Sequence, residues 1–584
     1  ALDHAVLPPT LHIEKPNLGW DPKKSPFHFR GVASPWPMGP EARRVAAVSS
    51  FGFGGTNFHT VLTNYSDPLA AEPVGKRWSS ELFCIRAKDE SSLNEQLHAL
   101  LSSLELERPW RLRDLAASAS QGDDPVQLAF VASSIEELRT HITSALAGEE
   151  SEEVHRRSED KELRSGEVAF LFSGQGSQYP GMCAELFVSF PCLRDLLSKA
   201  GAWHERVFPP TSFTPEANRA AIDALTDTRV AQPALGLVDS AIARLLERVG
   251  VKADHLAGHS YGELVALSCG GALPAERLLE LSEARANAIL SSAGEDPGTM
   301  AAVSGTKDEI EAALADIDGI VLANQNAPNQ VVISGHTPAI EAAVELLNQK
   351  GIAARQIQVA CAFHSPVIEG ARDAFRKVLE ELPIQSPNAV VWSNADAAPY
   401  PAGGDVRDRL ADHLISPVRF SEQVQAMHEA GVRVFVEVGP GQVLTGLVKK
   451  ILRGRTHEVI STNKKDGSSL AALLDAVARL ACLGVEITTD ALFAERDAEV
   501  FDLNSPPDRS FPKMAWLVNG FRAIPAHGEA PREGFRPMDS PPEPVTTAAS
   551  SAPAHAANSR EAVVLEYLKG MRESVRDQRD VVLG

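Results

Sequence analysis

The sequence predicts an α/β fold in which a parallel sheet is covered by helices on both faces. Between residues 166 and 455, short apolar strands alternate with segments of helical periodicity, which is typical of such a sheet. Within this region, residues 298–358 follow the pattern β-α-β-β-α-β of a split βαβ unit. A chain of 584 residues is too long for one hydrophobic core, so we expect several domains.

Composition limits the possible partners and compartments. A net charge of −21 argues against nucleic acid or an anionic membrane as a partner. Six scattered cysteines without CxxC spacing indicate reduced thiols and no metal site. With no apolar run of membrane-spanning length and no signal peptide, we expect a cytoplasmic protein. The first residue is not methionine, and the chain ends in a helical pattern, so we expect a piece of a larger protein.

The first 165 residues divide into two parts. Residues 1–65 end in a glycine-rich stretch flanked by apolar residues, which predicts a buried turn between strands. Residues 66–165 predict a small α/β domain with strands at 81–87 and 127–132 and helices at 89–104 and 134–147. Residues 149–165 are rich in charge and predict a solvated connection.

The pentapeptide Gly258-His-Ser-Tyr-Gly262 has the pattern of a nucleophile elbow, a sharp turn from strand to helix. The apolar stretch 251–256 would supply the strand, and residues 263–267 would begin the helix. Ser260 would then lie at a helix N-terminus, where free N–H groups stabilise developing negative charge. This motif alone fits any serine hydrolase, and it also fits a glycine-bounded turn with a solvated serine.

Four further segments narrow the interpretation. In order, they are Val168-Ala-Phe-Leu-Phe-Ser-Gly-Gln-Gly-Ser-Gln178, Ala323-Asn-Gln-Asn-Ala-Pro-Asn-Gln-Val-Val-Ile-Ser-Gly335, Cys361-Ala-Phe-His-Ser-Pro366 and Val434-Phe-Val-Glu-Val-Gly-Pro-Gly441. Together with the elbow, they make residues 166–455 resemble the acyltransferase domain of fatty acid and polyketide synthases. The resemblance implies an α/β-hydrolase-like large subdomain and an inserted ferredoxin-like small subdomain at about residues 298–358.

The resemblance also implies a set of site residues. Ser260 would be the nucleophile and His364 its general base, because a serine hydroxyl needs a base within hydrogen-bond reach. The backbone carbonyl of His413 would orient His364, in place of the carboxylate of a triad. The backbone N–H groups of Gln175 and Tyr261 would form the oxyanion hole.

Arg285 and two aromatic residues bear on the substrate. In the family an arginine at this position binds the carboxylate of a malonyl group, for which a planar guanidinium fork is suited. An arbitrary helical arginine more often forms a surface ion pair. Tyr261 and Phe363 would line the acyl pocket, and a phenylalanine at 363 leaves no room for an α-methyl group. The resemblance therefore implies malonyl-CoA as substrate, although one methyl group is worth only about 1–3 kcal/mol of discrimination.

The regions before and after residues 166–455 also resemble parts of these synthases. Residues 1–65 resemble the C-terminal end of a ketosynthase, in which Phe53 would be a gating aromatic, and residues 66–165 the linker from ketosynthase to acyltransferase. No cysteine precedes Cys84, so this end cannot carry the ketosynthase reaction by itself. Residues 456–526 resemble the linker after the acyltransferase, with an amphipathic helix at 470–484 and a wrap-back segment at 508–515. Residues 527–558 predict a disordered linker, and residues 559–584 a helix leading towards a carrier-protein domain.

The implied reaction transfers malonyl from malonyl-CoA to the phosphopantetheine thiol of an acyl carrier protein, with no bound cofactor and no metal. Basic residues that could dock an acidic carrier are Lys449, Lys450, Arg453, Arg455, Lys464 and Lys465, although such a run more often forms a solvated face. The parent would be an iterative synthase of the polyunsaturated fatty acid type, an enediyne synthase or a modular polyketide synthase. A serine hydrolase or editing thioesterase, and a non-catalytic scaffold, remain as alternatives.

Overall fold

The computed structural model describes residues 1–37, 43–51, 57–64, 77–105, 110–200, 203–292, 294–403, 405–507, 516–518 and 523–525. The chain divides into two compact units, Ala1–Arg509 and Ser510–Gly584. In the second unit, the strands Trp516–Val518 and Ala523–Pro525 form an antiparallel pair. The predicted wrap-back segment, disordered linker and closing helix lie outside the described residues.

The first 65 residues contain two antiparallel strand pairs. Val6–Leu7 pairs with Ser34–Pro35, and Val45–Phe51 pairs with Asn57–Thr63. Strands therefore flank the predicted turn, whose residues 52–56, including Phe53, lie outside the described residues. The predicted burial concerned the turn alone, and the strands on either side of it are exposed. All but one of their residues are exposed, because the described chain supplies no second layer over either face.

A three-stranded antiparallel sheet follows. Its strands are, in spatial order, Glu81–Arg86, Val126–Ala132 and Val154–Arg156. The third strand lies within the charge-rich stretch, so the prediction of a solvated connection is wrong there: Val154 is buried and pairs with Phe130. The helices of this region are Glu90–Glu105, Leu112–Ala119 and Ile135–Ala147.

A helix from far along the chain completes this small domain. The helix Ser469–Cys482, predicted as amphipathic, packs on the strands of the three-stranded sheet. At its end, the carbonyl of Cys482 accepts a hydrogen bond from Ser158 N–H (2.8 Å), and the thiol of Cys482 donates to the carbonyl of His155 (3.2 Å). Residues before and after the large domain therefore share one core.

The large domain is built on a six-stranded sheet. Its spatial order is Ala398–Pro399, Val390–Ser393, His255–Gly258, Glu167–Phe172, Val432–Val438 and Glu458–Ser461. The last five strands are parallel to one another, and the first is an antiparallel edge strand. Successive residues of the strand Glu167–Phe172 belong alternately to two apolar clusters. Phe170 and Phe172 lie in one cluster, and Ala169 and Leu171 lie in the other. The sheet is thus buried on both faces, as predicted for a parallel sheet between helices.

The helices of the large domain connect and cover these strands. In chain order they are Lys161–Ser165, Ala184–Ser189, Arg194–Lys199, His204–Val207, Pro215–Thr226, Thr228–Arg248, Gly262–Cys269, Leu278–Ser292, Glu369–Glu380, Val406–Asp412, Phe420–Glu429, Val443–Ile451 and Asp490–Phe493.

The inserted subdomain has the predicted order of elements. Its strands are Thr299–Val303, Ile320–Ala327, Gln330–Gly335 and Ala354–Ile357, and its helices are Lys307–Ala313 and Thr337–Gln349. All neighbouring strands are antiparallel, in the spatial order second, third, first, fourth. This is the arrangement of a ferredoxin-like sheet. The insert joins the large domain through Val418, which exchanges backbone hydrogen bonds with Ala323 and Gln325 (both 2.8 Å).

Candidate active site

The segment 258–262 forms the predicted turn between the strand His255–Gly258 and the helix Gly262–Cys269. Ser260 has a φ of +51°, a left-handed conformation that is rare for a residue with a side chain and is found at strained functional turns. A Cβ atom at Gly258 would lie 2.0 Å from the carbonyl carbon of Gly262, and one at Gly262 would lie 2.2 Å from the carbonyl oxygen of Phe172. Both glycines are therefore required for the close packing of this turn.

The turn presents Ser260 to His364. The Oγ atom of Ser260 lies 2.7 Å from Nε2 of His364, although 104 residues separate the two in sequence. His364 follows the last strand of the insert, is only 3% exposed and also has a positive φ, of +56°. The structure thus brings the predicted nucleophile and base within hydrogen-bond distance.

Two backbone carbonyls fix the tautomer of His364. Its Nδ1 atom lies 3.1 Å from the carbonyl oxygen of His413 and 3.0 Å from that of Ser416. A carbonyl oxygen can only accept, so Nδ1 carries the proton and Nε2 is free to accept the proton of Ser260. The carbonyl of His413 lies where it was predicted. That of Ser416, three residues later, was not predicted, because a backbone group leaves no signature in the side-chain sequence.

Burial and charge keep this histidine neutral. Burial is the main reason that the pKa of His364 is lowered from its ordinary value to about 3, and the positive charge of Arg285 adds to the shift. A neutral imidazole is the form that can accept a proton, so His364 is ready to act as a base at neutral pH.

The loop that contains Gln175 lies beside the turn of Ser260. A Cβ atom at Gly174 would lie 2.5 Å from the carbonyl oxygen of His259, which shows how closely the two backbones approach. In the described part of the chain, the backbone N–H groups of Gln175 and Tyr261 donate no hydrogen bond to another protein group. The side chain of Gln175 is held by Thr228, whose Oγ1 accepts from Nε2 at 3.3 Å.

Arg285 is a buried cation that lines the same site. The helix Leu278–Ser292 carries it, and its side chain is 2% exposed. Among the described residues it forms no ion pair and no hydrogen bond, and its nearest aromatic contact is the ring of Tyr261, 5.9 Å from Cζ. Burial lowers its pKa to about 10, so the guanidinium remains charged at neutral pH. The nearby carboxyl group of Glu263 acts against burial and raises the pKa of Arg285, but the two groups form no ion pair. A buried charge without a direct partner is costly.

A cavity of about 370 Å³ contains Ser260, His364, Tyr261 and Arg285. It lies between the large domain and the insert. The insert and the segment after it contribute an apolar wall, consisting of Met300, Val332, Ile357, Val359 and the half-buried Phe363. The predicted pocket residues Tyr261 and Phe363 therefore both line the cavity that contains the serine.

A polar network that sequence reasoning missed holds the turn of Ser260. The side chain of Asn394 accepts from Ser260 N–H (2.8 Å) and donates to the carbonyl of Gly258 (2.7 Å). The backbone N–H of Asn394 in turn donates to the carboxylate of Glu263 (2.6 Å), which also accepts from the hydroxyl of Tyr400 (2.5 Å). Asn394, Glu263 and Tyr400 are all buried, and burial raises the pKa of Glu263 to about 7. The network fixes the backbone on both sides of the serine.

Other candidate residues lie further from the reacting atoms. The Nε2 atom of His259, the residue before the serine, lies 2.7 Å from Oδ1 of Asn326, and its ring contacts Phe420. The six basic residues considered for docking are at least partly exposed. Within the described ranges, no group of three or more His, Cys, Asp or Glu side chains is placed to hold a metal ion. No helix in those ranges combines the length and apolarity needed to cross a membrane.

Comparisons with known proteins identify the family. Residues 169–487 match the family described as the acyl transferase domain. A malonyl CoA-acyl carrier protein transacylase of Bacillus subtilis is 35% identical over 292 residues, which are 49% of this chain and 90% of that protein. One component of the polyunsaturated fatty acid synthase of Thraustochytrium is 30% identical over 539 residues, which are 83% of this chain and 19% of that protein. The chain spans between 7% and 25% of the length of its multidomain relatives.

A solved structure gives the same result for the fold. The acyltransferase domain from the second module of the salinomycin polyketide synthase is 30% identical to this chain, with a TM-score of 0.57. The match covers 70% of this chain and 95% of that domain. It confirms the predicted α/β fold with a parallel sheet.

Proposed function

The chain belongs to the acyl transferase domain family, and we propose that it transfers a malonyl group from malonyl-CoA through Ser260 to the phosphopantetheine thiol of an acyl carrier protein. One observation carries the proposal. A hydrogen-bonded serine and histidine share a cavity with Arg285, a buried cation that forms no direct ion pair among the described residues. A serine hydrolase of neutral esters has no use for such a cation, whereas an acyl group with a free carboxylate pairs with it.

The first half-reaction acylates the serine. The Oγ atom of Ser260 attacks the thioester carbonyl of malonyl-CoA while Nε2 of His364 accepts the hydroxyl proton. The tetrahedral intermediate then collapses, the carbon–sulfur bond breaks, and the imidazolium returns the proton to the thiolate of CoA. The product is a malonyl ester on Ser260 and free CoA.

The oxyanion of that intermediate needs donors in a fixed position. The backbone N–H groups of Gln175 and Tyr261 are suited to this role, since both lie beside Ser260 and neither is engaged with another described protein group. Loss of one such donor costs roughly 3 kcal/mol of transition-state stabilisation. The helix Gly262–Cys269 begins directly after Tyr261, and its dipole adds to the stabilisation.

The second half-reaction repeats these steps with a different nucleophile. The thiol of the carrier's phosphopantetheine arm loses its proton to His364 and attacks the malonyl ester, and Ser260 recovers its proton as it leaves. Because the two acceptors use the same site in turn, the kinetics are ping-pong. The carboxylate of malonyl remains on Arg285 throughout, and Phe363 limits the room beside the α-carbon.

The carrier protein is proposed to dock at the exposed basic residues near the cavity. The helix Val443–Ile451 carries Lys449 and Lys450 at its end, and its residues Val443, Leu444 and Leu447 line the cavity. A positive surface at this position would attract an acidic carrier despite the negative charge of the whole chain.

The parent protein is proposed to be an iterative synthase that supplies malonyl units to fatty acid or polyketide synthesis. Similarity to a component of a polyunsaturated fatty acid synthase over 83% of the chain supports this choice, while the enediyne and modular synthases remain alternatives. The proposed domain order keeps the predicted boundaries: a ketosynthase end at 1–65, a linker at 66–165, the acyltransferase at 166–455, and linkers and a helix from 456 to 584. Six free cysteines favour a reducing compartment such as the cytoplasm.

The test is the fate of the acyl group. The chain is incubated with malonyl-CoA, with and without a carrier protein bearing phosphopantetheine, and the masses of both proteins and the release of malonate are followed. We expect malonyl to appear on the carrier, and to be absent with Ser260→Ala and His364→Ala. Rapid release of malonate with an unmodified carrier would instead identify a hydrolase, and no reaction at all would identify a scaffold.

A further inference from the structure

A glycine lies in the middle of the longest helix that borders the site. Gly236 is a buried residue of the helix Thr228–Arg248. Glycine weakens a helix interior relative to alanine, because a glycine residue loses more backbone freedom than an alanine when the chain folds. A glycine at such a position therefore has a packing reason.

The packing reason is the phenol of Tyr261. A Cβ atom at Gly236 would lie 2.3 Å from the hydroxyl oxygen of Tyr261, but 3.6 Å from the adjacent ring carbon Cζ. The hydroxyl lies 2.7 Å from Oγ of Ser282, which itself donates to the carbonyl of Leu278 (2.7 Å). Ser282 Oγ thus accepts from the phenol. We call this space over Gly236, closed by Ser282, the phenol slot.

Tyr261 is also part of the candidate active site. Tyr261 follows Ser260 directly and lines the cavity together with Arg285, whose Cζ lies 5.9 Å from the centre of the tyrosine ring. The side chain is 0% exposed and is surrounded by packed helices on the side away from the cavity. If the phenol slot were filled, the ring would have to move into the cavity, because that is the side with empty space.

We propose that Gly236 is a specificity-determining residue: by leaving the phenol slot open, it keeps the ring of Tyr261 out of the space between Ser260 and Arg285. That space then has room for an acyl group that carries a terminal carboxylate. The inference rests on the proposed function, because it concerns the acyl group that the same serine accepts. It adds a residue that touches neither substrate nor the reacting atoms.

The substitution Gly236→Ala tests the role of the slot. We expect the second-order rate constant for acylation of Ser260 by malonyl-CoA to fall by about tenfold or more, and the ratio of malonyl to acetyl loading to fall with it. The shorter acetyl group does not reach Arg285, so it loses less. In the double variant G236A/Y261F the clashing oxygen is gone and Cζ lies at an ordinary contact distance, so malonyl loading recovers relative to G236A.

A matched control separates this effect from a general effect of alanine. Gly446 also lies inside a helix, and a Cβ atom there would meet nothing within 4 Å. Gly446→Ala is therefore expected to keep the malonyl-to-acetyl ratio of the wild type. If G236A does not fold, Ser282→Ala provides a second test, because it removes the hydrogen-bond partner of the phenol without adding an atom. We expect it to lower the ratio in the same direction.

The outcomes distinguish the inference from the proposed function. If the wild type accepts no malonyl, the proposed function fails. If the wild type accepts malonyl but G236A has an unchanged ratio, or loses malonyl and acetyl loading in equal proportion, the inference is overturned. Failure of Y261F to restore loading in the G236A background, or an unchanged ratio in folded S282A, would overturn it as well.

Discussion

Replacing Arg285 by alanine should reverse the acyl preference of the enzyme. In the proposed reaction the carboxylate of malonyl enters the cavity and pairs with the guanidinium of Arg285, a residue that is only 2% exposed. Removing one partner of a buried ion pair costs about 3–5 kcal/mol, because the other charge remains without compensation. At about 1.4 kcal/mol for each factor of ten, kcat/KM for malonyl-CoA should fall roughly 140-fold to 3,700-fold. Acetyl-CoA carries no such charge, so its loading should stay level or rise.

The assay is competition between the two thioesters. Malonyl-CoA and acetyl-CoA are mixed in equal amounts, the reaction is stopped early, and the acyl groups on the protein are counted by intact mass. Arg277→Ala is the matched control, since Arg277 lies just before the same helix and pairs with Glu280 at the surface. We expect it to behave as the wild type. A parallel loss of malonyl and acetyl loading in Arg285→Ala would refute the assignment of Arg285 to the carboxylate.

Three further predictions concern the turn, the base and the docking surface. Asn394→Ala leaves two backbone groups beside the serine without hydrogen-bond partners. The rate of single-turnover acylation should therefore fall about 10-fold to 100-fold, with a smaller change in KM. Equal changes in the acylation rate and in KM would contradict a positioning role. Because the pKa of His364 is lowered to about 3, the neutral base persists as the pH falls, and acylation by acetyl-CoA should stay level well below the ordinary histidine pKa of about 6.5. In Arg285→Ala the loss of a nearby positive charge raises that pKa, so the acid limb of the pH–rate profile should move to higher pH; an unmoved limb would exclude His364 as the titrating group. The double variant Lys449→Glu with Arg453→Glu should slow malonyl transfer to an acidic carrier at low salt without changing acylation of the chain by malonyl-CoA. An unchanged rate of transfer to the carrier would exclude these residues from the docking surface.

The features that could be predicted from the sequence are those with a local signature. The glycines at 258 and 262 predicted the strand-to-helix turn, because only glycine permits the close backbone approach found there. The insert was predicted element by element, since each of its short strands and helices has its own periodicity. The strand before the turn begins at His255 and not at residue 251, because its limits depend on pairing with Ala169 of the neighbouring strand.

Features that depend on distant partners could not be predicted. Asn394 lies 134 residues from the serine whose backbone it holds, and a lone asparagine after a strand has no distinctive pattern. The strand Val154–Arg156 looked like a solvated connection, because only its pairing with Val126–Ala132 makes Val154 a core residue. The strands Val45–Phe51 and Asn57–Thr63 are exposed, because burial requires a second layer that the described chain does not supply.

The phenol slot illustrates a third kind of limit. Tyr261 was predicted to line the acyl pocket, but the glycine that accommodates it, Gly236, lies earlier in the chain and on another helix. Complementary sizes at two positions become visible only when both are placed in space, since each residue alone is compatible with its own helix or turn. Packing of this kind determines the shape of a pocket without leaving a motif.

The most direct test of the account is the position of the acyl group on the protein. The chain is exposed briefly to malonyl-CoA, digested, and its peptides are analysed by mass spectrometry, with Ser260→Ala treated in parallel. We expect one malonyl group on the peptide that contains Ser260 and none on the variant. A malonyl group on a different residue, or one that persists in Ser260→Ala, would contradict the account.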